Sequence, residues 1–381
     1  MCDDNHVMRS ALVVGGTGPT GPYVLQGLLD RGFDVTIFHR GTHEPTDLPD
    51  VRHIHGDPHF LESIAEAVGD SEYDVVVGAY GRTALVAQAF AGRTGHFIAI
   101  GAAMRYAGFN EPARTTPLGP VVPVAEDAPK VTSLDPGESR AIMFAHKAVA
   151  TEEAVFAAHE NGTVLIYPIV YGPRNLVPWE WSVIKRVQDG RNRMAIPDEG
   201  LSILTRGAAQ NMADFVLRTV DRPDVAAGQV YNCADDKQYS VRQFIELLLA
   251  EMGADIEIIS VPSAVSPYFK SVYIPTAATM CPHIIFDTSK ARTELGYRDV
   301  VSTPEALAES VAWYRENPLD GSKPIPAFFD TFDYELEDAV IDNWLTGLAD
   351  LRTRVQEPTI EDVHPMPHPK KQGVLADQRG R

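Results

Sequence analysis

The chain has 381 residues, a mass of 41.7 kDa and a formal net charge of −19, from 33 Lys and Arg against 52 Asp and Glu. This acidic excess argues against nucleic acid as a partner, because phosphate binding needs a basic surface. With 44% hydrophobic residues the chain can bury a large core, so global disorder is excluded, and the length predicts about two domains.

The cysteines and the N-terminus favour a cytoplasmic protein. Cys2, Cys233 and Cys281 lie far apart without metal-ligand spacing, which is typical of reduced thiols in a reducing compartment. The N-terminus carries acids where a secretory signal needs basic residues. No apolar run approaches the roughly 18 residues that cross a membrane, so we expect no membrane partner.

The first organised segment predicts a strand, a glycine-rich turn and a helix. Residues 11–14 are strand formers, and residues 23–31 have apolar side chains at helical spacing. Between them lie Gly15, Gly18 and Gly21, whose missing side chains would let a dinucleotide pyrophosphate reach N–H groups at the helix N-terminus. A βα turn without a ligand is the alternative, and the flanking strands favour the binding site.

The end of the second strand, residues 34–38, indicates which nucleotide is bound. NAD enzymes place an acid here to bind the ribose 2′-hydroxyl, whereas this chain has His39, Arg40 and Gly41. Because an arginine can pair with a 2′-phosphate, the sequence favours NADP(H), with NAD as the alternative cofactor. A solvated surface side chain is the other interpretation of Arg40.

Strands and helices continue to alternate along the first half. Strands at 51–57, 74–79 and 96–101 enclose helices at 61–68 and 83–92. This alternation predicts an α/β fold with a Rossmann-type doubly wound parallel sheet. The same stretch is crowded by His39, His43, His53, His55 and His59. They fall on different elements without HxxxH spacing, so no metal site is predicted.

Several motifs follow one another in a recognisable order over residues 8–316. They are the glycine run 15–21, Gly56-Asp57, the strand ending at Ile100, Lys147, residues 164–166 before Tyr171-Gly172-Pro173, Tyr231-Asn232, and residues 287–297. In this order the chain resembles an extended, atypical short-chain dehydrogenase/reductase of the NAD-dependent epimerase/dehydratase superfamily. The glycine run and His39-Arg40-Gly41 are most similar to a branch that contains chloroplast stem-loop-binding proteins, whose RNA association does not transfer to so acidic a chain.

The resemblance implies an enzyme and implies functional roles for the residues at matched positions. Together with the motif context, it gives as candidate cofactor-binding residues Gly15, Thr17, Gly18, Pro19, Thr20, Gly21, His39, Arg40, Asp57, Ala79 and Lys147. In the family, the residue matched by Asp57 serves the adenine end, and the residue matched by Lys147 serves the nicotinamide ribose.

Two catalytic positions depart from the family pattern. The Tyr that precedes the Lys by four residues is replaced by Met143, whose thioether cannot donate a proton, and the Ser or Thr position aligns with Ala102. We therefore take Lys147, Tyr106 and Tyr167 as the candidate catalytic residues. Tyr106 comes first because its matched position lines the substrate cleft. For each tyrosine, a packed ring with a satisfied hydroxyl is the alternative.

The second half of the chain predicts a substrate domain and a tail. We assign residues 1–170 to an NAD(P)-binding Rossmann domain and 171–325 to a smaller substrate-binding domain with elements that return to the sheet. Residues 326–381 form a helical and proline-rich extension. The run Ser240-Val241-Arg242-Gln243 is a capping box that predicts a helix over 244–252. Residues 259–285 are expected to be a loop above the cleft. The apolar stripe at 328–355 predicts a helix covered either by its own domain or by a second copy in a homodimer.

Three function classes are consistent with this sequence. The first is an NADP(H)-dependent oxidoreductase that reduces a small, fairly apolar carbonyl or activated alkene. The second is an isomerase, dehydratase or lyase that holds its nucleotide without net redox chemistry. The third is a non-catalytic NAD(P) sensor. In the first two classes the partner is a small-molecule substrate, and the fold alone does not choose among the three.

Overall fold

The computed structural model describes residues 8–42, 44–132, 140–175, 178–268, 282–319, 330, 332–356 and 371–373. The predictions for His43, for residues 269–281 of the expected loop and for the proline-rich residues 363–370 lie outside this part of the chain.

Eleven strands in the described residues build one large sheet and two small ones. They are β1 (Ser10–Val14), β2 (Asp34–His39), β3 (Arg52–His55), β4 (Tyr73–Gly78), β5 (Thr94–Ala102), β6 (Thr163–Tyr167), β7 (Ile169–Tyr171), β8 (Arg193–Pro197), β9 (Arg206–Ala208), β10 (Val230–Asn232) and β11 (Glu257–Val261). The large sheet is parallel, in the order β10-β6-β5-β4-β1-β2-β3. The pairs β8–β11 and β7–β9 are also parallel.

The described residues contain eleven α-helices, some of which cover the two faces of the large sheet. They are α1 (Gly21–Asp30), α2 (Leu61–Val68), α3 (Thr83–Ala89), α4 (Arg140–Ala158), α5 (Trp181–Gln188), α6 (Ala209–Asp221), α7 (Pro223–Ala226), α8 (Val241–Met252), α9 (Ser289–Glu294), α10 (Thr303–Glu316) and α11 (Tyr334–Arg354). Among the described residues, none of these helices combines the length and the apolar character needed to cross a bilayer.

Alternate residues of β1 enter two different cores. Leu12 and Val14 pack with α2, α3 and α4 on one face, while Ala11 and Val13 pack with α1 and α6 on the other. This division follows from the two-residue period of a strand. The predicted doubly wound α/β fold is therefore confirmed. β10 joins the large sheet although it lies far along the chain. The division into domains stays a prediction.

Two predictions in the second half have different outcomes. The capping box at the start of α8 forms, because the Ser240 hydroxyl accepts the N–H of Gln243 at 3.2 Å and the Gln243 side chain accepts the N–H of Ser240 at 2.9 Å. The expectation of a loop from residue 259 is wrong at its start. Residues 259–261 instead lie in β11, because their backbone pairs with β8.

The first half of α11 docks on the β8–β11 pair. Ile341 is fully buried against Ala195, Ile259 and Val261. The predicted helical extension is therefore present, and its own chain covers the stripe around Val340, Ile341 and Trp344, while Leu336 in the first turn is 42% exposed. Exposed apolar side chains follow further along the helix, at Leu345, Leu351 and Val355. A homodimer that covers this second part stays a prediction.

A buried charge network fixes α11 to α5. The Arg186 guanidinium lies between the carboxylates of Asp330 and Glu337, and all three side chains are at most 3% exposed. Glu337 also accepts the backbone N–H of Ala195 at 3.0 Å. Removing one member of such a network is costly, because the buried charge that remains is neither hydrated nor paired with an opposite charge.

Glu337→Ala is expected to lower the free energy of unfolding by about 3 kcal/mol, because it removes one partner of the buried arginine and the acceptor of the Ala195 N–H. Urea unfolding measures the difference. Glu335→Ala is the matched control: this glutamate is exposed in the first turn of the same helix, so its loss should cost less than about 1 kcal/mol. Equal effects of the two substitutions would contradict this account of the docking.

Candidate functional site

A cavity of about 280 Å³ opens at the carboxyl edge of the large sheet, beside the ends of β1, β2 and β4. Among the candidate cofactor-binding residues, those that line the cavity are Gly15, Thr17, Gly18, Pro19, Thr20, Gly21, His39, Arg40 and Ala79. The carboxyl edge is where open α/β sheets bind ligands, because the strands end there and loops of different lengths surround the crevice. The structure therefore brings most of the candidate set to one place.

The glycines of the turn differ in what a side chain at each position would meet. A Cβ on Gly21 would lie 1.9 Å from the carbonyl oxygen of Gly16, so only glycine allows the helix to start this close to the turn. Gly15 and Gly16 have φ values of +101° and +75°, which favour glycine. A Cβ on Gly18 would meet nothing within 4 Å. The Gly18 side of the turn is therefore open.

The N-terminus of α1 meets the cavity without a protein anion to neutralise it. Thr20 and Gly21 line the cavity, and the Thr20 side chain makes no capping hydrogen bond. The first turn of α1 is fully described and contains no acidic residue. Gly21 donates its N–H to the Gly18 carbonyl at 3.1 Å and Pro22 carries no N–H, so this terminus attracts an anion through the partial positive charge of the helix dipole. This end of the cavity can therefore hold an anion such as a pyrophosphate.

Arg40 and Tyr80 lie at the β2 end of the cavity. The guanidinium carbon of Arg40 is 5.4 Å from the centroid of the Tyr80 ring, and both residues line the cavity. Tyr80 follows β4 at the same edge and was not among the residues predicted from the sequence. The prediction of Ala79 could have been extended to Tyr80, because both residues directly follow the end of β4.

Asp57 lies outside the cavity lining. Its carboxylate accepts the His59 backbone N–H at 3.0 Å and contacts His59 Nδ1 at 2.7 Å. The hydrogen bonds from His59 hold the pKa of Asp57 below its usual range, and the nearby charge of Arg40 acts in the same direction. The role of Asp57 at the adenine end stays a prediction, because the carboxylate is turned to His59 in this conformation.

A carboxylate does approach the end of β2, contrary to the sequence analysis. Glu44 comes back from the loop and places Oε1 3.1 Å from His39 Nε2 and 2.9 Å from His55 Nε2. Hydrogen bonds from His55 and His53 lower the pKa of Glu44, and burial lowers the pKa of His39. The sequence offered no signal for this contact, because Glu44 lies five residues beyond the strand in a loop whose path no pattern predicts.

The two candidate tyrosines have engaged hydroxyls. Tyr106 is 1% exposed, does not line the cavity, and donates its O–H to Asn232 Oδ1 at 2.6 Å. Tyr167 lines the cavity but donates its O–H to the Met212 carbonyl at 2.6 Å. Burial raises the pKa of both phenols above their usual range, whereas a tyrosine acting as a general base needs a lowered pKa. A proton-donor role for either tyrosine stays a prediction.

Lys147 lies on an exposed part of α4. Its Nζ is 5.7 Å from the centroid of the Phe144 ring, and it is not among the residues that line the cavity. Met143, one turn earlier on the same helix, is 43% exposed. Met143 and Ala102, at the end of β5, therefore leave the two matched catalytic positions without a hydroxyl. The structure brings Tyr167 to the glycine turn, but not Tyr106 or Lys147.

Known structures share this architecture, although no family model and no curated protein matches the sequence. The enzyme WbmH of Bordetella bronchiseptica, solved with NAD+, superimposes with a TM-score of 0.63 at 18% identity, over 82% of this chain and 100% of that chain. UDP-glucose 4-epimerase of Thermotoga maritima, solved with UDP-glucose, gives 0.62 at 18% identity, over 81% and 99%. The chain therefore shares the fold of these two proteins.

A third structure extends the likeness to an archaeal protein. An epimerase of Methanothermobacter thermautotrophicus gives a TM-score of 0.63 at 15% identity, over 81% of this chain and 93% of that chain. The Rossmann-type fold that the sequence predicted is therefore shared with proteins of known structure. At these identities the likeness is one of fold, and residue roles in this chain depend on its own geometry.

Replacing Gly18 and Gly21 separately should distinguish binding from folding. Gly21→Ala is expected to lower the free energy of unfolding by about 2 kcal/mol or more, because its Cβ collides with the Gly16 carbonyl. Gly18→Ala should leave the free energy of unfolding unchanged, because its Cβ enters open space. The same Cβ would occupy part of the cavity where the pyrophosphate should bind, so dinucleotide affinity should fall about tenfold. Urea unfolding and calorimetric titration with NADPH give the two readouts. Unchanged NADPH affinity in Gly18→Ala would place the ligand elsewhere.

Proposed function

We propose that the protein is an NADP(H)-dependent oxidoreductase whose dinucleotide lies in the cavity at the glycine turn. The observation that carries this proposal is the open space at Gly18 in front of the uncapped N-terminus of α1. A pyrophosphate fits that space because it needs close backbone approach and N–H donors. The similar fold of WbmH, solved with NAD+, supports a nicotinamide cofactor.

The preference for NADP(H) is supported by Arg40. This residue is exposed, lines the cavity and stacks near Tyr80, so its guanidinium can reach a 2′-phosphate at the end of β2. The carboxylate that could instead bind a ribose hydroxyl belongs to Glu44, which is turned toward the histidines. NAD is the alternative cofactor if Glu44 rotates into the cavity.

Arg40→Ala should reduce NADPH affinity roughly tenfold or more while changing NADH affinity much less, because a hydrogen bond to a charged group contributes about 1.5–3 kcal/mol. Fluorescence titration with both nucleotides measures the two affinities. Arg52→Ala is the matched control: Arg52 is equally exposed and lies at the opposite end of neighbouring β3, paired with Thr36. Equal losses for NADPH and NADH in Arg40→Ala would show that Arg40 does not read the 2′-phosphate.

The substrate we propose is a small, fairly apolar carbonyl or activated alkene. When bound, the nicotinamide would supply a hydride to carbon, and a proton must then reach the oxygen or the enolate. Val77, Ile100 and Tyr167, at or near the carboxyl ends of β4, β5 and β6, give this part of the cavity an apolar lining. Such a lining excludes water from the reacting carbon and favours a substrate with little charge.

A second candidate, a non-redox enzyme or an NAD(P) sensor, is favoured by one specific observation. Met143 and Ala102 occupy the positions where the resembled family has its Tyr and Ser, and the Tyr106 and Tyr167 hydroxyls are engaged elsewhere. Incubation with NADPH and a panel of small carbonyls and activated alkenes separates the candidates. Loss of the NADPH absorbance supports the reductase, product without that loss supports the non-redox enzyme, and binding without product supports the sensor.

A further inference from the structure

Three histidines and one glutamate converge at the free edge of the large sheet, beside the cavity. His39 ends β2, His53 and His55 lie on β3, and Glu44 lies in the loop between these strands. We name these four side chains the β2–β3 cluster. The parallel register pairs His39 with His55, and His53 is two residues from His55. The three rings therefore share one face of the sheet.

The ligand atoms of the β2–β3 cluster are close enough to bind one ion. His39 Nε2 lies 3.1 Å from His53 Nδ1 and 3.1 Å from Glu44 Oε1. Glu44 Oε1 lies 3.3 Å from His53 Nδ1 and 2.9 Å from His55 Nε2. All four atoms lie within 4.8 Å of one another.

These separations match a tetrahedral metal site. Zinc bonds of about 2.0–2.1 Å to nitrogen and oxygen give edges of roughly 3.3 Å between ligand atoms in a regular tetrahedron. Four of the six pairs in the β2–β3 cluster already lie between 2.9 and 3.3 Å. The two remaining distances join His55 to His39 and to His53. A small rotation of the His55 side chain, which is 58% exposed, would shorten both.

We propose that the β2–β3 cluster binds one divalent transition-metal ion through its three imidazoles and its carboxylate. Nitrogen donors of this kind suit Zn²⁺, Cu²⁺ and Ni²⁺, and a tetrahedral set with one carboxylate oxygen suits Zn²⁺. The ion can enter from solvent, because the side chains of Glu44 and His55 are 41% and 58% exposed. The fourth ligand, His39, is buried and fixes the site to the end of β2.

A cluster held only by hydrogen bonds is the competing account, and the tautomer of His39 distinguishes the two. Its Nδ1 accepts the Gly41 N–H at 3.2 Å, so without a metal the proton lies on Nε2 and is donated within the cluster. A metal on Nε2 requires the proton on Nδ1 instead. The long contact with Gly41 is then lost, while the metal bond replaces the donated hydrogen bond.

The test is a zinc titration of the full-length protein after chelator treatment, without nucleotide, against a chromophoric zinc chelator. We expect one Zn²⁺ per chain, and Co²⁺ should give the strong visible absorption of tetrahedral coordination. The nucleotide is left out so that a failure to bind zinc leaves the proposed dinucleotide site untouched. Weak binding of several ions, or a Co²⁺ spectrum of six-coordinate type, would overturn the proposal.

Three single variants, His53→Gln, His55→Gln and Glu44→Gln, should each weaken zinc binding roughly 100-fold or more, because even the outer partners of metal ligands contribute 10–100-fold. His59→Gln is the matched control, since His59 is half-buried near the same strand end and pairs with Asp57 outside the cluster. Circular dichroism of the metal-free variants shows that they fold; Glu44→Gln and His55→Gln change exposed side chains. Affinity unchanged in all three variants would refute the site.

Discussion

The close approach of Gly21 to the Gly16 carbonyl is the contact on which the candidate site depends. A side chain at this position would collide with backbone, which cannot move away as a flexible side chain can. Because glycine stands there, α1 begins directly against the turn after β1, and the positive end of its dipole reaches the carboxyl edge of the sheet. The open side of the turn at Gly18 then faces the cavity, so one backbone contact provides both the positive helix end and the space for an anion.

The proposed chemistry is limited by tyrosine hydroxyls that already make hydrogen bonds inside the fold. Tyr106 was the first candidate proton donor, but it lies outside the cavity lining and donates its O–H to Asn232, whose amide in turn donates to the Val124 carbonyl at 2.8 Å. Freeing the phenol would leave buried polar atoms without partners, which costs more than the hydrogen bond itself contributes. Hydroxyls engaged in this way favour reactions that need little acid from the protein, such as hydride delivery to an activated alkene.

Local sequence patterns predicted the helices and strands, but they did not predict contacts between residues that are distant in the sequence. The alternation of strands and helices, the capping box at Ser240 and the glycine turn are local, so their outcomes follow from neighbouring residues. The Arg186–Glu337 pair joins residues far apart in sequence, and no periodicity links their charges. The apolar stripe of the tail was visible, but which surface covers it depended on where β8 and β11 lie. The partner of the Tyr106 hydroxyl, Asn232, was equally unpredictable, because the two residues are far apart in the sequence.

His39 shows why a residue at the end of β2 can serve two sites. Its ring lines the cavity, while its Nε2 points into the β2–β3 cluster. A metal on Nε2 moves the proton to Nδ1, and the N–H of Gly41, which also lines the cavity, then loses its acceptor. A released N–H beside Arg40 would favour a phosphate oxygen at that place. Occupancy of the proposed metal site and affinity for a 2′-phosphate would then rise together, and linkage requires the effect to be reciprocal.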